Sequence, residues 1–209
     1  MLIEARNQLG DRYRGDADAP RVVIVSEPRL GESMNLPSSH EEVWTVLETT
    51  ARQIARQCDF YAVACNTLNV YSDEIATLGL EAELVSFQSV VTDWLGDNEI
   101  DEAALLGARP VMELGEWSPY RRLAEAIDIE VPAVLGDVHR LIDEIKASGP
   151  RLEGHSDALA AIVENLNSPV VLLACTELPL VVPSLPAREL VDVNQLVAGA
   201  LIRRADDRN

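Results

Sequence analysis

Val170-Val171-Leu172-Leu173-Ala174-Cys175-Thr176-Glu177-Leu178-Pro179 is the stretch that decides how this chain is read. Four branched apolar residues run through alanine into a cysteine, and two polar residues, a leucine and a proline follow. A short continuous apolar run bounded by turn signals reads as a strand buried on both faces, the pattern of a parallel sheet. The end of that strand presents a thiol. Phe60-Tyr61-Ala62-Val63-Ala64-Cys65-Asn66-Thr67 repeats the pattern, with Asn-Thr in place of Thr-Glu. Two matching strand ends imply two similar halves facing one another. A cleft with one sulfur on each wall suits moving a proton across a flat, carbanion-like intermediate.

Outward from these strands, the periodicity alternates between strand and helix. Residues 2–14 carry helical spacing and residues 15–20 break it. Arg21 to Ser26 reads as a strand through its β-branched run Val22-Val23-Ile24-Val25, and Glu27 to Ser39 reads as a loop at its carboxyl end. Ser38 or Ser39 is expected to cap a helix with Val43, Leu47, Ala51, Ile54 and Ala55 on one face. After the Cys65 strand come a helix near residues 70–78, a strand at 81–86 and a helix near 89–94. A strand at 103–107, a helix at 117–127, a strand at 130–135 and a helix at 137–146 follow. Gly149-Pro150 precedes a helix at about 154–166; beyond the Cys175 strand lie a proline-rich loop, a strand at 189–193 and a last helix to Arg204. Alternation of this kind predicts a parallel α/β architecture, whose ligands sit at strand carboxyl ends, where both thiols fall.

The 209 residues suffice for one large domain or two small lobes, and with 47% hydrophobic but only 4% aromatic residues the cores must be aliphatic. Seventeen Lys and Arg against 35 Asp and Glu leave a formal charge of −18. Such a surface repels nucleic acid and acidic membranes, so neither is expected as a partner. No stretch has the length of a membrane span or a signal peptide, and three cysteines make no disulfide framework. A reducing cytoplasm is the expected location.

Ala64-Cys65-Asn66-Thr67 and Ala174-Cys175-Thr176-Glu177-Leu178-Pro179 together resemble the aspartate/glutamate racemase family. The second motif is close to that family's Gly-Cys-Thr-Glu-Leu-Pro and the first to its Cys-Asn-Thr-Ala-His. Ile142-Asp143-Glu144-Ile145-Lys146-Ala147 is similar to its Ile-Lys-Ala-Gly segment, whose lysine helps to hold a substrate carboxylate. The likeness runs from about residue 2 to residue 204. It implies two pseudo-symmetric lobes with parallel sheets flanked by helices, residues 1–92 with 192–209 forming the first and 93–191 the second. It also implies a homodimer and catalysis without a metal or pyridoxal phosphate: one cysteine thiolate takes the Cα proton and the other thiol reprotonates the opposite face.

The departures from that pattern are specific. The family's Gly-rich first strand has no counterpart, so the first lobe is expected to lack it, the gap being covered by the segment before Pro20 or by a second subunit. Leu68 and Asn69 stand where Ala and His are usual, and Ser33 where an arginine is frequent. Ala108 and Val111 replace two threonines that bind substrate, which with Leu114 would make a drier pocket.

For Cys65 and Cys175 the alternative is a pair of buried cysteines acting as small hydrophobes. As acid and base they need a fraction of thiolate near neutral pH, against an unperturbed pKa of about 8.5. The amides of Asn66-Thr67 and Thr176-Glu177 could supply it, or could hold a substrate carboxylate. Asn66, Thr67 and Thr176 equally suit helix capping; Glu177 either orients the thiol loop or faces solvent. Lys146 reads from its position as a solvated cation near a helix end, and only the resemblance makes it a ligand. Cys58 reads as structural, and His40, His139 and His155 share no metal-ligand spacing and read as surface residues. The expected function is cofactor-independent racemisation of an acidic amino acid or related carboxylic acid by Cys65 and Cys175, with Asn66, Thr67, Thr176, Glu177 and Lys146 binding substrate. A changed substrate or isomerase reaction is one alternative; a non-catalytic binding protein is the other.

Overall fold

The computed structural model describes residues 1–150 and 154–207; the side chains of residues 32–34, Ser33 among them, lie outside the described set. Among the described residues six strands form two parallel sheets. β1 (Phe60–Tyr61) and β2 (Glu83–Leu84) make a two-stranded pair with Phe60 opposite Glu83. β3 (Glu102–Gly107), β4 (Asp128–Glu130), β5 (Val170–Ala174) and β6 (Glu189–Asp192) make a four-stranded sheet in the order β4-β3-β5-β6. The helices are α1 (Leu2–Leu9), α2 (Leu36–Ile54), α3 (Ser72–Ala76), α4 (Phe87–Asp97), α5 (Arg109–Met112), α6 (Leu135–Ser148), α7 (His155–Glu164) and α8 (Val193–Asp207).

β5 is buried at all five positions, as a central parallel strand with helices on both faces must be. The two-residue period divides its side chains cleanly. Val170, Leu172 and Ala174, with Ala103 and Leu105 of β3, pack against Val90, Val91 and Leu95 of α4 and Val193, Val197 and Ala200 of α8. Val171 and Leu173, with Ala104 and Leu106, pack against Val138, Leu141, Ile142 and Ile145 of α6 and Leu159 and Val163 of α7. Cys175 continues this second set, so the thiol falls on the α6–α7 side. A third cluster joins α2, through Val43, Leu47 and Ala51, to Tyr61, Leu68, Tyr71 and Ile75.

Several sequence expectations are corrected. Arg21–Ser26 forms no strand, and Ile24 is 86% exposed. A β-branched run becomes a strand only where a neighbour completes its ladder, and here none does among the described residues. In the segment before Pro20, α1 packs on α8, with Gln8 Nε2 donating to the Gly199 carbonyl at 2.9 Å and Gln195 Nε2 to Glu4 Oε1 at 3.0 Å. α2 begins at Leu36 rather than after Ser38 or Ser39, whose hydroxyls donate back to the Asn35 carbonyl. Residues 117–127 form separate turns instead of a helix. Pro119 has no N–H and disfavours helical geometry at Ser118, and Leu114 just upstream has φ +53°. The expected strand at 130–135 lies earlier, at β4, and α6 starts at Leu135. His155 is buried, 3% exposed, with both ring nitrogens unpartnered among the described residues.

Candidate functional site

Cys175 follows β5 directly, with Gly107 of β3 paired to Ala174 beside it. The thiol is buried, 7% exposed. Its Sγ donates to Glu177 Oε2 at 2.8 Å, and Thr176 Oγ1 donates to the same oxygen at 2.9 Å. Burial pushes the Cys175 thiol up, and the charge and acceptor oxygen of Glu177 push it further. The Glu177 backbone N–H and the ammonium of Lys146 act in the opposite direction. The net result is a protonated thiol with a proton acceptor in contact. Lys146 is exposed at the end of α6, on the face of the sheet where Cys175 emerges. Glu177 orients the thiol loop and is half-buried, while Thr176 is exposed.

Cys65 stands on a tight turn after β1, its N–H donating to the Val63 carbonyl at 2.7 Å. That i to i−2 bond ends the strand early and leaves Cys65 half-exposed. Asn66 and Thr67 are both 3% exposed, and Thr67 opens a 3-10 turn, Thr67–Tyr71. Asn66 makes no side-chain cap there. Its Oδ1 instead accepts from the hydroxyl of Tyr120 at 2.6 Å, and its Nδ2 is buried without a partner among the described residues. Cys65 packs against the α2 cluster, Cys175 lies in the α6–α7 cluster, and Ala62 and Ala174 pack into the cluster common to both sheets.

Three residues that position these turns were not singled out as site residues in the sequence. Asn69 Nδ2 donates to the carbonyls of Val63 and Cys65 at 3.0 and 2.9 Å, while its Oδ1 accepts from Phe87 N–H at 3.0 Å. Asn69 thus fastens the Cys65 turn to the start of α4. Tyr120 is fully buried and ties Asn66 to the 117–127 turns. Asn194, at the start of α8, donates to the Cys175 carbonyl at 3.4 Å. No local signal marks them: an Asn or Tyr in a turn becomes informative only once its distant partner is known.

Ala108 and Val111 are buried, at 3% and 0% exposure. Val111 packs into the cluster containing β3 and β5, with Leu114 partly buried against it. Cys58 donates to the Ile54 carbonyl at 3.3 Å, its thiol pushed up by burial and by Asp59, with Arg21 opposing. His139 Nδ1 accepts from the Arg109 N–H at 3.3 Å. Cys58, Cys65 and Cys175 form no disulfide among the described residues, and no group of His, Cys, Asp and Glu among them could hold a metal ion. No helix among them is long and apolar enough to cross a membrane.

Solved structures share this fold. Picrophilus torridus aspartate racemase superposes with a TM-score of 0.79 at 16% identity, over 97% of this chain and 90% of its own. A candidate Asp/Glu racemase from Yersinia pestis gives 0.76 at 21% identity, over 98% and 90%. An aspartate racemase homologue from Pyrococcus horikoshii gives 0.74 at 20%, over 98% and 91%. The chain has the aspartate/glutamate racemase fold. No protein-family profile and no curated protein matches the sequence. That fold accounts for the parallel sheets flanked by helices.

Proposed function

We propose that this protein is a cofactor-independent racemase of the aspartate/glutamate type, acting on an acidic amino acid or related carboxylic acid through Cys65 and Cys175. The observation that carries the proposal is the Cys175 thiol held against the Glu177 carboxylate at the end of β5. A buried thiol that the Glu177 charge keeps neutral is a proton donor for a carbanion. In one direction the Cys65 thiolate takes the Cα proton, and Cys175 delivers its own proton to the opposite face of the planar carbanion. In the other, the Cys175 thiolate left by that transfer takes the Cα proton of the opposite enantiomer and Cys65, now a thiol, returns its own, so the pair is restored.

The carbanion is stabilised as its carboxylate gains enolate character, which requires donors aimed at those oxygens. Asn66 Nδ2 is one, being buried with no partner among the described residues; the amide of Thr67, the hydroxyl of Thr176 and the ammonium of Lys146 are the others proposed. The two lobes would divide as residues 1–92 with 192–209 and residues 93–191, joined through α8, which contacts α1, α4 and both sheets. A cytoplasmic homodimer without a metal or organic cofactor completes the reading.

Chiral chromatography of each enantiomer of aspartate and glutamate in deuterated water tests this. Interconversion with deuterium at Cα, abolished by Cys65→Ser and by Cys175→Ser, is the expected result. Absence of exchange for these acids and for less polar amino acids would overturn it in favour of a binding protein.

A further inference from the structure

Away from both thiols, a cavity of about 300 Å³ opens between the first turns of α2 and the Thr67–Tyr71 turn running into α3. His40, Glu41, Trp44, Thr45, Tyr71 and Glu74 line it. Trp44 and Tyr71 form an aromatic pair with ring centroids 5.5 Å apart and planes tilted by 31°. The Tyr71 hydroxyl donates to the His40 carbonyl at 3.1 Å, so the ring is fixed with its polar end already used. At the cavity's edge His40 in turn meets Trp117, centroids 5.3 Å apart.

The carboxylates at this cavity differ from their neighbours. Asp73 pairs with Arg122 at 2.6 Å and Glu48 with Arg52 at 2.8 Å. Glu41 and Glu74 have no ion pair and no side-chain hydrogen bond among the described residues. Glu74 also lies close enough to act on the phenol: burial, then the Glu74 charge, pushes Tyr71 up to about 12. Two unpaired negative charges beside a fixed aromatic pair, on a chain of formal charge −18, form a place where positive charge is missing.

We propose that this cavity binds a small organic cation, an alkylated ammonium, with its charge between Glu41 and Glu74 and its alkyl groups against Trp44 and Tyr71. A weakly hydrated ammonium gains from aromatic faces what a hard metal ion does not, and such ions take six or more oxygen ligands, which this lining does not offer. The volume matches the small end of ligand pockets, near 300 Å³. This site is independent of the proposed racemisation.

The test is calorimetric and fluorescence titration of the full chain with tetramethylammonium and choline at low salt. The uncharged choline isostere 3,3-dimethylbutan-1-ol and matched sodium chloride serve as controls. Saturable binding of the two cations alone is expected, weakened about five- to thirtyfold by Trp44→Ala and by Glu74→Gln. Circular dichroism checks that both variants stay folded, and Glu48→Gln, at a paired carboxylate outside the cavity, should bind as the wild type does. Equal binding of the uncharged isostere, an equal response to sodium, unchanged affinity in the two cavity variants, or no saturable response would each overturn the proposal.

Discussion

The thiol of Cys175 donates to the carboxylate of Glu177 two residues further on, Sγ to Oε2 at 2.8 Å. Both the charge and the acceptor oxygen of Glu177 favour the neutral thiol, on top of burial, while the Glu177 N–H and Lys146 favour the thiolate. Iodoacetamide, which reacts with thiolate, should therefore modify half-exposed Cys65 well before Cys175 at pH 7 to 8. Glu177→Gln removes the charge and should move Cys175 labelling to lower pH, followed by mass spectrometry of the alkylated peptides. Slower labelling in that variant would contradict the assigned sign.

Tyr120 and Asn66 make a second prediction. Tyr120→Phe removes the only partner of the Asn66 amide among the described residues and leaves a buried polar group unpaired at both ends. The loss should be about 1–3 kcal/mol, read as a lower urea midpoint with unchanged slope. Because Asn66 adjoins Cys65, the variant should also lose turnover beyond its loss of stability.

Gly107 allows β3 and β5 to approach at the residue before Cys175. A Cβ there would stand 2.7 Å from the Ala174 carbonyl oxygen and 2.9 Å from Val111 Cγ1. Gly107→Ala should cost about 1–3 kcal/mol, as overpacked sites do. Adding Val111→Ala should restore little, since the backbone contact persists; full recovery in a thermal melt would show that the side chain alone was responsible.

Glu130 anchors the approach to β5. Its carboxylate accepts from the N–H groups of Asn167 and Ser168 at 2.8 and 2.7 Å and from the Ser168 hydroxyl at 2.9 Å. Burial raises its pKa, but these hydrogen bonds outweigh it and the net direction is down. A carboxyl lowered on folding contributes its full stability above the unfolded-state pKa and loses it as pH falls through the folded-state value. Glu130→Gln should therefore cost about 1–2 kcal/mol near neutral pH, allowing for solvent screening, and progressively less in acid. Denaturant titrations of both proteins from pH 7 to pH 3 would show a constant difference if the assignment were wrong.

Much of the second sheet was legible because its strands are continuous apolar runs. Ala103 to Gly107 and Val170 to Ala174 carry the signal of burial on both faces, which needs no partner to be read. The helical face Val43, Leu47 and Ala51 was legible for the same reason. Val22 to Val25 was misread because a β-branched run reports propensity, whereas a strand also needs a ladder neighbour. Residues 117–127 were misread because Pro119 and the positive φ of Leu114 override a helical pattern locally. His155 was misread because one residue near a helix start does not reveal what packs over it.

By itself the sequence determined that the chain is a parallel α/β protein with two thiols at strand ends, since a residue's period and its immediate neighbours encode both facts. Only the tertiary structure decided what surrounds those thiols. The Cys175–Glu177 contact depends on the turn after β5, α6 and α7 bury the sulfur on their side of the sheet, and Tyr120 meets Asn66 across 54 residues. Desolvation and Coulomb energies depend on distance in space, which sequence separation does not fix.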